Sequence, residues 1–195
     1  MGVGTMRVLK TFTDPVSFQN SLSGLQRVLG LLVDSSTLHI AISDATRRTC
    51  APFGFLYQNS AKEDAKILLR AFEFAQEFES TPLVVGGAVV GIRCENSAEA
   101  KKEASNVRKY VEELLDNDKL DQMSSILYIN QAAALKQAIL RRQDYLKARE
   151  KIVERLLANR APGARLPPDP NDIKDPREII KLSAVDVLEY GLWKP

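Results

Sequence analysis

Three aspartates occupy positions from which a carboxylate could ligate a metal ion. Asp34 follows an apolar run, Asp44 ends a segment of alternating polarity, and Asp186 lies near the C-terminus. Carboxylates are preferred ligands of Mg²⁺, and a pair of such ions can hydrolyse a phosphodiester by activating water and stabilising the leaving oxygen. These residues are therefore the candidates for metal-dependent chemistry. Asp34 and Asp44 also suit turns, because an aspartate can accept hydrogen bonds from nearby backbone amides.

The single histidine and the two cysteines favour structural roles. His39 lies inside a segment of alternating apolar residues, where a structural histidine is favoured over a catalytic one. Cys50 and Cys94 stand in no metal-ligand spacing, so we expect reduced structural thiols. A reducing compartment follows, and the cytoplasm, a plastid or a mitochondrion would each fit.

Basic side chains concentrate in one segment of the C-terminal third. Nine Lys or Arg residues but three Asp or Glu residues lie between Lys136 and Arg165. A solvated helix face with partial charge pairing is the favoured interpretation. The functional alternative is a site for RNA phosphates or for an acidic protein assembly. Its candidate residues are Arg141, Arg142, Lys147, Arg149 and Lys151. No aromatic residues alternate with these cations, so no base-stacking surface is predicted.

Length and composition suit one globular domain. The chain has 195 residues, of which 45% are hydrophobic and 27% are charged, enough for a full core. We expect an N-terminal extension over residues 1–24 and a domain over residues 25–195, with a proline-rich loop at 161–176. A net charge of +2 does not by itself predict a polyanionic partner. No apolar run approaches the roughly 20 residues of a membrane span, so we predict a soluble protein without membrane insertion. The oligomeric state is not predictable.

Hydrophobic periodicity predicts three early strands and then alternating helices and strands. A short helix is expected near residues 15–22. The expected strands cover residues 28–33, 38–42, 51–57, 83–90 and 125–130. The expected longer helices cover residues 60–78, 96–115, 132–159 and 175–190, with capping sequences that begin at Ser60, Asn96 and Asp175. This order predicts an α/β fold with a mixed sheet, antiparallel and then parallel, and with helices on its faces.

The stretch GLLVDSSTLHIAISD, residues 30–44, resembles the opening hairpin of the YqgF/RuvX nuclease family, whose motif runs approximately G-L-D-x-G-x-K/R-x-I-G-V-A-x-S-D. The matching residues are Gly30, Leu31, Val33, Ala41, Ser43 and Asp44. Weaker similarities follow in the family's order at residues 83–87, 99–115, 126–134 and 180–192. The resemblance implies a ribonuclease H-like, three-layer fold with a mixed five-stranded sheet. It also implies nuclease activity with Mg²⁺ or Mn²⁺ in pre-ribosomal RNA processing or Holliday junction resolution.

The positions that correspond to the family's three metal-binding acids hold no carboxylate. They are Leu32, Gln131 and Ile180, or Lys181 in place of Ile180 if the register shifts by one. Asp34 lies two residues beyond Leu32, about 6.6 Å along a strand. Asp186 follows position 180 by six residues, roughly 240° around a helix. We therefore expect a degenerate member without a metal cofactor, which associates with RNA or a ribonucleoprotein. The alternative is an active metal-dependent nuclease that uses Asp34, Asp44 or Asp186 in a shifted site.

Overall fold

The structure is a computed structural model that describes residues 9–79, 83–93, 96–116, 123–158 and 182–193. Within these residues it contains six strands and five helices. The strands are β1 (Lys10–Phe12), β2 (Arg27–Val33), β3 (Thr37–Ser43), β4 (Cys50–Tyr57), β5 (Val85–Ile92) and β6 (Ser125–Asn130). The helices are α1 (Pro15–Ser21), α2 (Ala61–Gln76), α3 (Ala98–Leu115), α4 (Gln131–Ala158) and α5 (Ala184–Leu192).

The strands form one mixed sheet in the order β1-β6-β5-β2-β3-β4. β2, β3 and β4 are antiparallel neighbours, whereas β5 is parallel to β2 and β6 is parallel to β5. This arrangement confirms the predicted ribonuclease H-like α/β fold. The predicted count of five strands was wrong by one, because β1 pairs in parallel with β6. β1 has three residues, too few to show a strand periodicity in the sequence.

Helices cover both faces of the sheet and bury two separate hydrophobic clusters. On one face, α2 and α3 pack on alternate residues of the central strands, including Leu29 and Leu31 of β2. On the other face, α1, α4 and α5 pack on the intervening residues, including Val28 of β2. Side chains alternate between the two faces of a strand, so an almost continuous apolar run fills both clusters. The three-layer architecture expected from the resemblance is confirmed.

The docking of α5 on β2 depends on Gly30. A Cβ atom at this position would lie 2.5 Å from the carbonyl oxygen of Ala184 and 2.6 Å from the Cβ of Leu188. Only glycine therefore allows the backbone of α5 to approach the strand this closely. The contact sets the start of α5 against the middle of β2.

Helix starts differ from the predictions at two places. Ser60 caps α2 as predicted, and its side chain accepts a hydrogen bond from the Glu63 amide. At α3 the cap is Ser97 and not Asn96. The last helix was predicted to run continuously through residue 183, but Ser183 has extended backbone and caps a helix that begins at Ala184. The expected cap at Asp175 and the loop at 161–176 lie outside the described residues.

The described part of the predicted N-terminal extension is built into the domain. β1 lengthens the sheet at β6, and Asp14 caps α1 by accepting a hydrogen bond from the Ser17 amide. Phe18 of α1 is fully buried in the cluster beneath α5. Residues 9–22 therefore help to hold the layer that carries the candidate site.

Candidate functional site

A cleft of about 590 Å³ opens where β2, β3 and the end of β6 meet the start of α5. The parallel strands β2, β5 and β6 all end at this edge of the sheet, which is the usual ligand-binding edge of open α/β sheets. Its described lining includes Leu32, Asp34, His39, Arg93, Gln131 and Ser183. The lining thus combines one aspartate and one arginine with apolar and neutral polar groups.

Three uncharged side chains converge over Gly91 at the base of the cleft, where Leu32 and Gln131 line the cleft and Val187 is fully buried beneath them. A Cβ atom added to Gly91 would lie 3.0 Å from Val187 Cγ2, 3.2 Å from Gln131 Cγ and 3.4 Å from Leu32 Cδ1. The side-chain amide of Gln131 donates a hydrogen bond of 3.0 Å to the Gly91 carbonyl. We call Leu32, Gln131 and Val187 the cleft floor.

The structure thus brings together two of the three positions named from the family resemblance, Leu32 and Gln131. The third, Ile180, lies outside the described residues, as does Lys181. Val187 is a member of the floor that sequence reasoning missed. The one signal in the sequence that could have identified Val187 is its spacing of seven residues from position 180, because that spacing returns to nearly the same side of a helix.

Asp34 is the one candidate aspartate that lines the described part of the cleft. Its amide donates to the Thr37 carbonyl at 2.8 Å, and its carboxylate accepts a hydrogen bond of 2.8 Å from the Ser35 amide. The side chain therefore serves the predicted turn between β2 and β3.

Asp44 lies at the opposite edge of the sheet because β3 is antiparallel to β2. Its carboxylate accepts hydrogen bonds from the amides of Arg48 and Thr49, at 2.7 and 3.0 Å, and from the Thr46 hydroxyl. Burial alone would raise the pKa of Asp44, but the hydrogen bonds from Thr46, Thr49 and Arg48 outweigh it and lower that pKa below its ordinary value. Asp44 is thus a turn cap and is not part of the cleft.

Asp186 is likewise absent from the cleft lining and borders a separate cavity between α4 and α5. It forms a reciprocal capping box with Ser183 and an ion pair of 3.4 Å with Arg142. The candidate substitutes Asp34, Asp44 and Asp186 are therefore not brought together. No group of three His, Cys, Asp or Glu side chains within the described ranges is arranged to hold a metal ion.

Arg141 and Arg142 connect α4 to α5 through ion pairs with acids of α5, and their role in binding RNA phosphates stays a prediction. Arg141 forms an ion pair of 2.7 Å with Glu189, and its guanidinium lies 5.7 Å from the centre of the Trp193 ring. The corresponding partner of Arg142 is Asp186. Both pairs border a cavity of about 370 Å³ between the helices. We call this cavity and its two ion pairs the α4–α5 groove.

The other three basic candidates lie further along α4. Lys147 and Lys151 are exposed, and Arg149 is half-buried. At Cys50, burial raises the pKa of the thiol to about 12, helped by the charges of Glu189 and then Asp44. A thiol that stays protonated at neutral pH fits the expected structural role of Cys50. Cys94 lies outside the described residues.

Aromatic rings from β3 and β4 form an exposed patch beside the cleft. His39 and Phe55 are partners in the sheet, with ring centres 6.3 Å apart, and the Phe55 and Tyr57 ring centres are 5.6 Å apart. Phe55 and Tyr57 are 56% and 70% exposed. We call these three residues the aromatic patch. The patch lies outside the basic segment, to which the prediction of no base-stacking surface was confined.

The chain has a ribonuclease H-like α/β fold, and its candidate site lies at the carboxyl ends of the parallel strands. No protein-family model matches the chain. A curated protein described as "Putative pre-16S rRNA nuclease" from Paramagnetospirillum magneticum is 30% identical over 100 residues. That match covers 51% of this chain and 59% of the relative, so the chain spans about three-fifths of the relative's length. This similarity confirms the resemblance to the YqgF/RuvX nuclease family.

Two solved structures are similar to this chain at low sequence identity. Thermus thermophilus RuvC, in complex with a Holliday junction substrate, is 14% identical with a TM-score of 0.38, and the match covers 85% of this chain and 93% of RuvC. The yeast mitochondrial Holliday junction resolvase Ydc2 is 10% identical with a TM-score of 0.36, and the match covers 90% of this chain and 80% of Ydc2.

None of the helices that the structure describes has both the length and the hydropathy of a membrane-spanning segment.

Proposed function

We propose that this chain is a nuclease-like module that binds RNA, alone or within a ribonucleoprotein, and does not cleave it with metal ions. The cleft floor carries this proposal. The side chains that converge above Gly91 are Leu32, Gln131 and Val187, at the place where the family resemblance implies metal-binding acids.

Metal-dependent phosphodiester cleavage needs anionic oxygen ligands at this point. Mg²⁺ requires near-octahedral oxygen ligation, and carboxylates also offset its charge. Leucine and valine have no ligand atom. Gln131 keeps one side-chain oxygen but no charge, and its amide nitrogen is already hydrogen-bonded to Gly91. The cleft floor therefore favours binding of a nucleic acid, through packing and hydrogen bonds, over its cleavage.

Polar groups around the floor suit an RNA ligand. Arg93 lines the cleft, and 61% of its side chain is exposed although it pairs with Glu103 at 3.2 Å. Such an arginine can exchange an exposed and weak ion pair for a phosphate. The imidazole of His39 adds a hydrogen-bonding group to the lining of the cleft. The relative described as a pre-16S rRNA nuclease supports RNA as the class of ligand.

The test separates binding from cleavage. The purified chain is incubated with a structured pre-ribosomal RNA fragment or a four-way DNA junction, with Mg²⁺, with Mn²⁺ or with EDTA. We expect RNA to be bound but not cleaved under all three conditions, as measured by gel shift and denaturing electrophoresis. Binding should be as strong in EDTA as with either metal.

The second candidate function is a nuclease with a shifted metal site, favoured by the position of Asp34 at the cleft. It predicts cleavage that requires Mg²⁺ or Mn²⁺ and that disappears in Asp34→Asn. Asp44→Asn is the matched control, because Asp44 caps a turn at the opposite edge of the sheet. Metal-dependent cleavage lost in the first variant and retained in the second would overturn the non-cleaving proposal.

A further inference from the structure

We propose that the aromatic patch stacks unpaired bases of a single-stranded RNA segment that enters the cleft. The inference rests on the proposed RNA-binding function and adds to it the form of RNA that is bound. The patch consists of the rings of His39, Phe55 and Tyr57. The RNA segment is one whose bases are unpaired.

The sheet geometry places the three rings side by side, with the planes of His39 and Phe55 at 39° and those of Phe55 and Tyr57 at 90°. Phe55 and Tyr57 are two residues apart on β4 and therefore point to the same face. His39 lies across from Phe55 on β3. His39 also lines the cleft, so the patch and the cleft are continuous through this side chain.

The helical layer on this face leaves the rings uncovered. It packs on Ala41 of β3 and on Cys50 at the start of β4. Phe55 and Tyr57, towards the end of β4, keep 56% and 70% of their surface exposed. Large exposed rings lose hydrophobic stabilisation, and a ligand that covered them would recover it.

The composition of the patch fits a nucleobase better than an apolar protein surface. Tyr57 and His39 combine a ring with a polar group, and His39 is 3.2 Å from the Thr37 hydroxyl. A base likewise has an apolar face and a polar edge, and base–aromatic stacking tolerates any sequence. Bases in an RNA duplex do not expose their faces, so the patch predicts a preference for unpaired RNA.

The local charge predicts that stacking, and not phosphate binding, provides most of the affinity. Arg93 is the one Lys or Arg residue among the described lining of the cleft, and Asp34 lines it too. Each phosphate contact with single-stranded nucleic acid adds roughly −0.7 to the slope of log affinity against log salt. One or two contacts would therefore give a shallow salt dependence.

The experiment uses fluorescence anisotropy with three labelled 12-nucleotide probes: oligouridine, an RNA hairpin, and an abasic oligomer with the same number of phosphates. The test variant is Phe55→Ala with Tyr57→Ala. A second variant, Phe55→Trp with Tyr57→Phe, keeps aromatic rings at both positions. The matched control is Phe74→Ala with Phe78→Ala, because these residues of α2 and its C-terminal end are also exposed, at 64% and 75%, with ring centres 5.1 Å apart.

We expect the test variant to bind oligouridine at least about tenfold more weakly than the parent, since stacking contributes about that factor or more per base. The ring-retaining variant and the α2 control should bind within about twofold of the parent. The parent should bind the hairpin and the abasic oligomer more weakly than oligouridine. Thermal melting of each variant establishes that it is folded.

The outcomes distinguish the patch from the cleft. If the test variant binds oligouridine as well as the parent does, the patch inference fails, while RNA binding by the cleft still stands. If the parent binds the structured RNA fragment but none of these probes, the inference fails and the proposed function stands; if it binds neither, both fail. If light scattering shows that the test variant turns a dimer into a monomer without changing RNA affinity, the patch is an interface between copies and the inference is overturned.

Discussion

The cleft floor and the α4–α5 groove both involve α5, but their chemistry is opposite. The floor is uncharged, and it lies where the family resemblance predicts carboxylates. The groove holds two half-buried ion pairs, and its acids come from the same helix. The side of α5 that faces the sheet is apolar, whereas the side that faces α4 is charged. In this chain, the acids of α5 therefore stabilise the packing of two helices.

Both regions depend on Gly30, so its substitution has the largest expected effect. Gly30→Ala would place a Cβ atom 2.5 Å from the Ala184 carbonyl oxygen, and α5 would have to move away from β2. We expect the free energy of unfolding to fall by about 3 kcal/mol, measured by urea denaturation.

Gly54→Ala is the matched control, because no atom lies within 4 Å of a Cβ atom at this position on β4. Its stability should stay within about 0.5 kcal/mol of the parent. An equally small change for Gly30→Ala would show that α5 does not lie as close to β2 as described.

In the groove, Glu189→Ala should have the next largest effect. It leaves the half-buried Arg141 guanidinium without its carboxylate partner at 2.7 Å. Hydrogen bonds to charged groups contribute about 2 kcal/mol. We therefore expect the free energy of unfolding, measured by chemical denaturation, to fall by about that amount.

The comparison for Glu189→Ala is Glu113→Ala, which removes an exposed ion pair of 3.9 Å with Lys109. Exposed pairs contribute about 0–1 kcal/mol. If the two variants lose equal stability, the groove has no special role in docking α5.

At the cleft floor, Gln131→Glu should have a smaller effect. In the parent, the Gly91 carbonyl accepts a hydrogen bond of 3.0 Å from the Gln131 amide. A carboxylate cannot donate this bond, so we expect the free energy of unfolding to fall by about 1 kcal/mol. The loss of stability relative to the parent should decrease as pH falls through the glutamate pKa, near 4.3 in a solvated side chain. The reason is that the protonated acid can donate the hydrogen bond again. Urea denaturation at pH 7 and pH 4 measures both values.

Gln143→Glu is the control for that substitution, since Gln143 is an exposed residue of the same helix. Its stability should change little at either pH. A deficit for Gln131→Glu that does not depend on pH would argue against the hydrogen bond to Gly91. A stability gain at pH 7 in the presence of Mn²⁺ would show that one added carboxylate already creates a cation site.

Predictions based on local periodicity were the most accurate. The strand expected at 125–130 has those bounds in the structure, and Ser60 caps α2 as its sequence indicates. Periodicity and capping act within a few residues, so a short window contains the whole signal. β1 was missed because its pairing with β6 is not encoded within its own three residues.

The candidate site was less accessible to sequence reasoning. The family resemblance identified Leu32 and Gln131, which do meet at the floor. It gave no reason to include Val187, and the partners of Arg141 and Arg142 lie 48 and 44 residues away. His39 and Phe55 become neighbours only through the antiparallel pairing of β3 and β4.

The sequence by itself determined the order of strands and helices, the mixed sheet and the absence of carboxylates at Leu32 and Gln131, because these follow from residue type and short-range periodicity. Only the tertiary structure decided that Asp44 lies far from the cleft, that the acids of α5 pair with α4, and that three rings share one exposed face. Those arrangements depend on strand direction and on helix docking, which join residues that are distant in the chain.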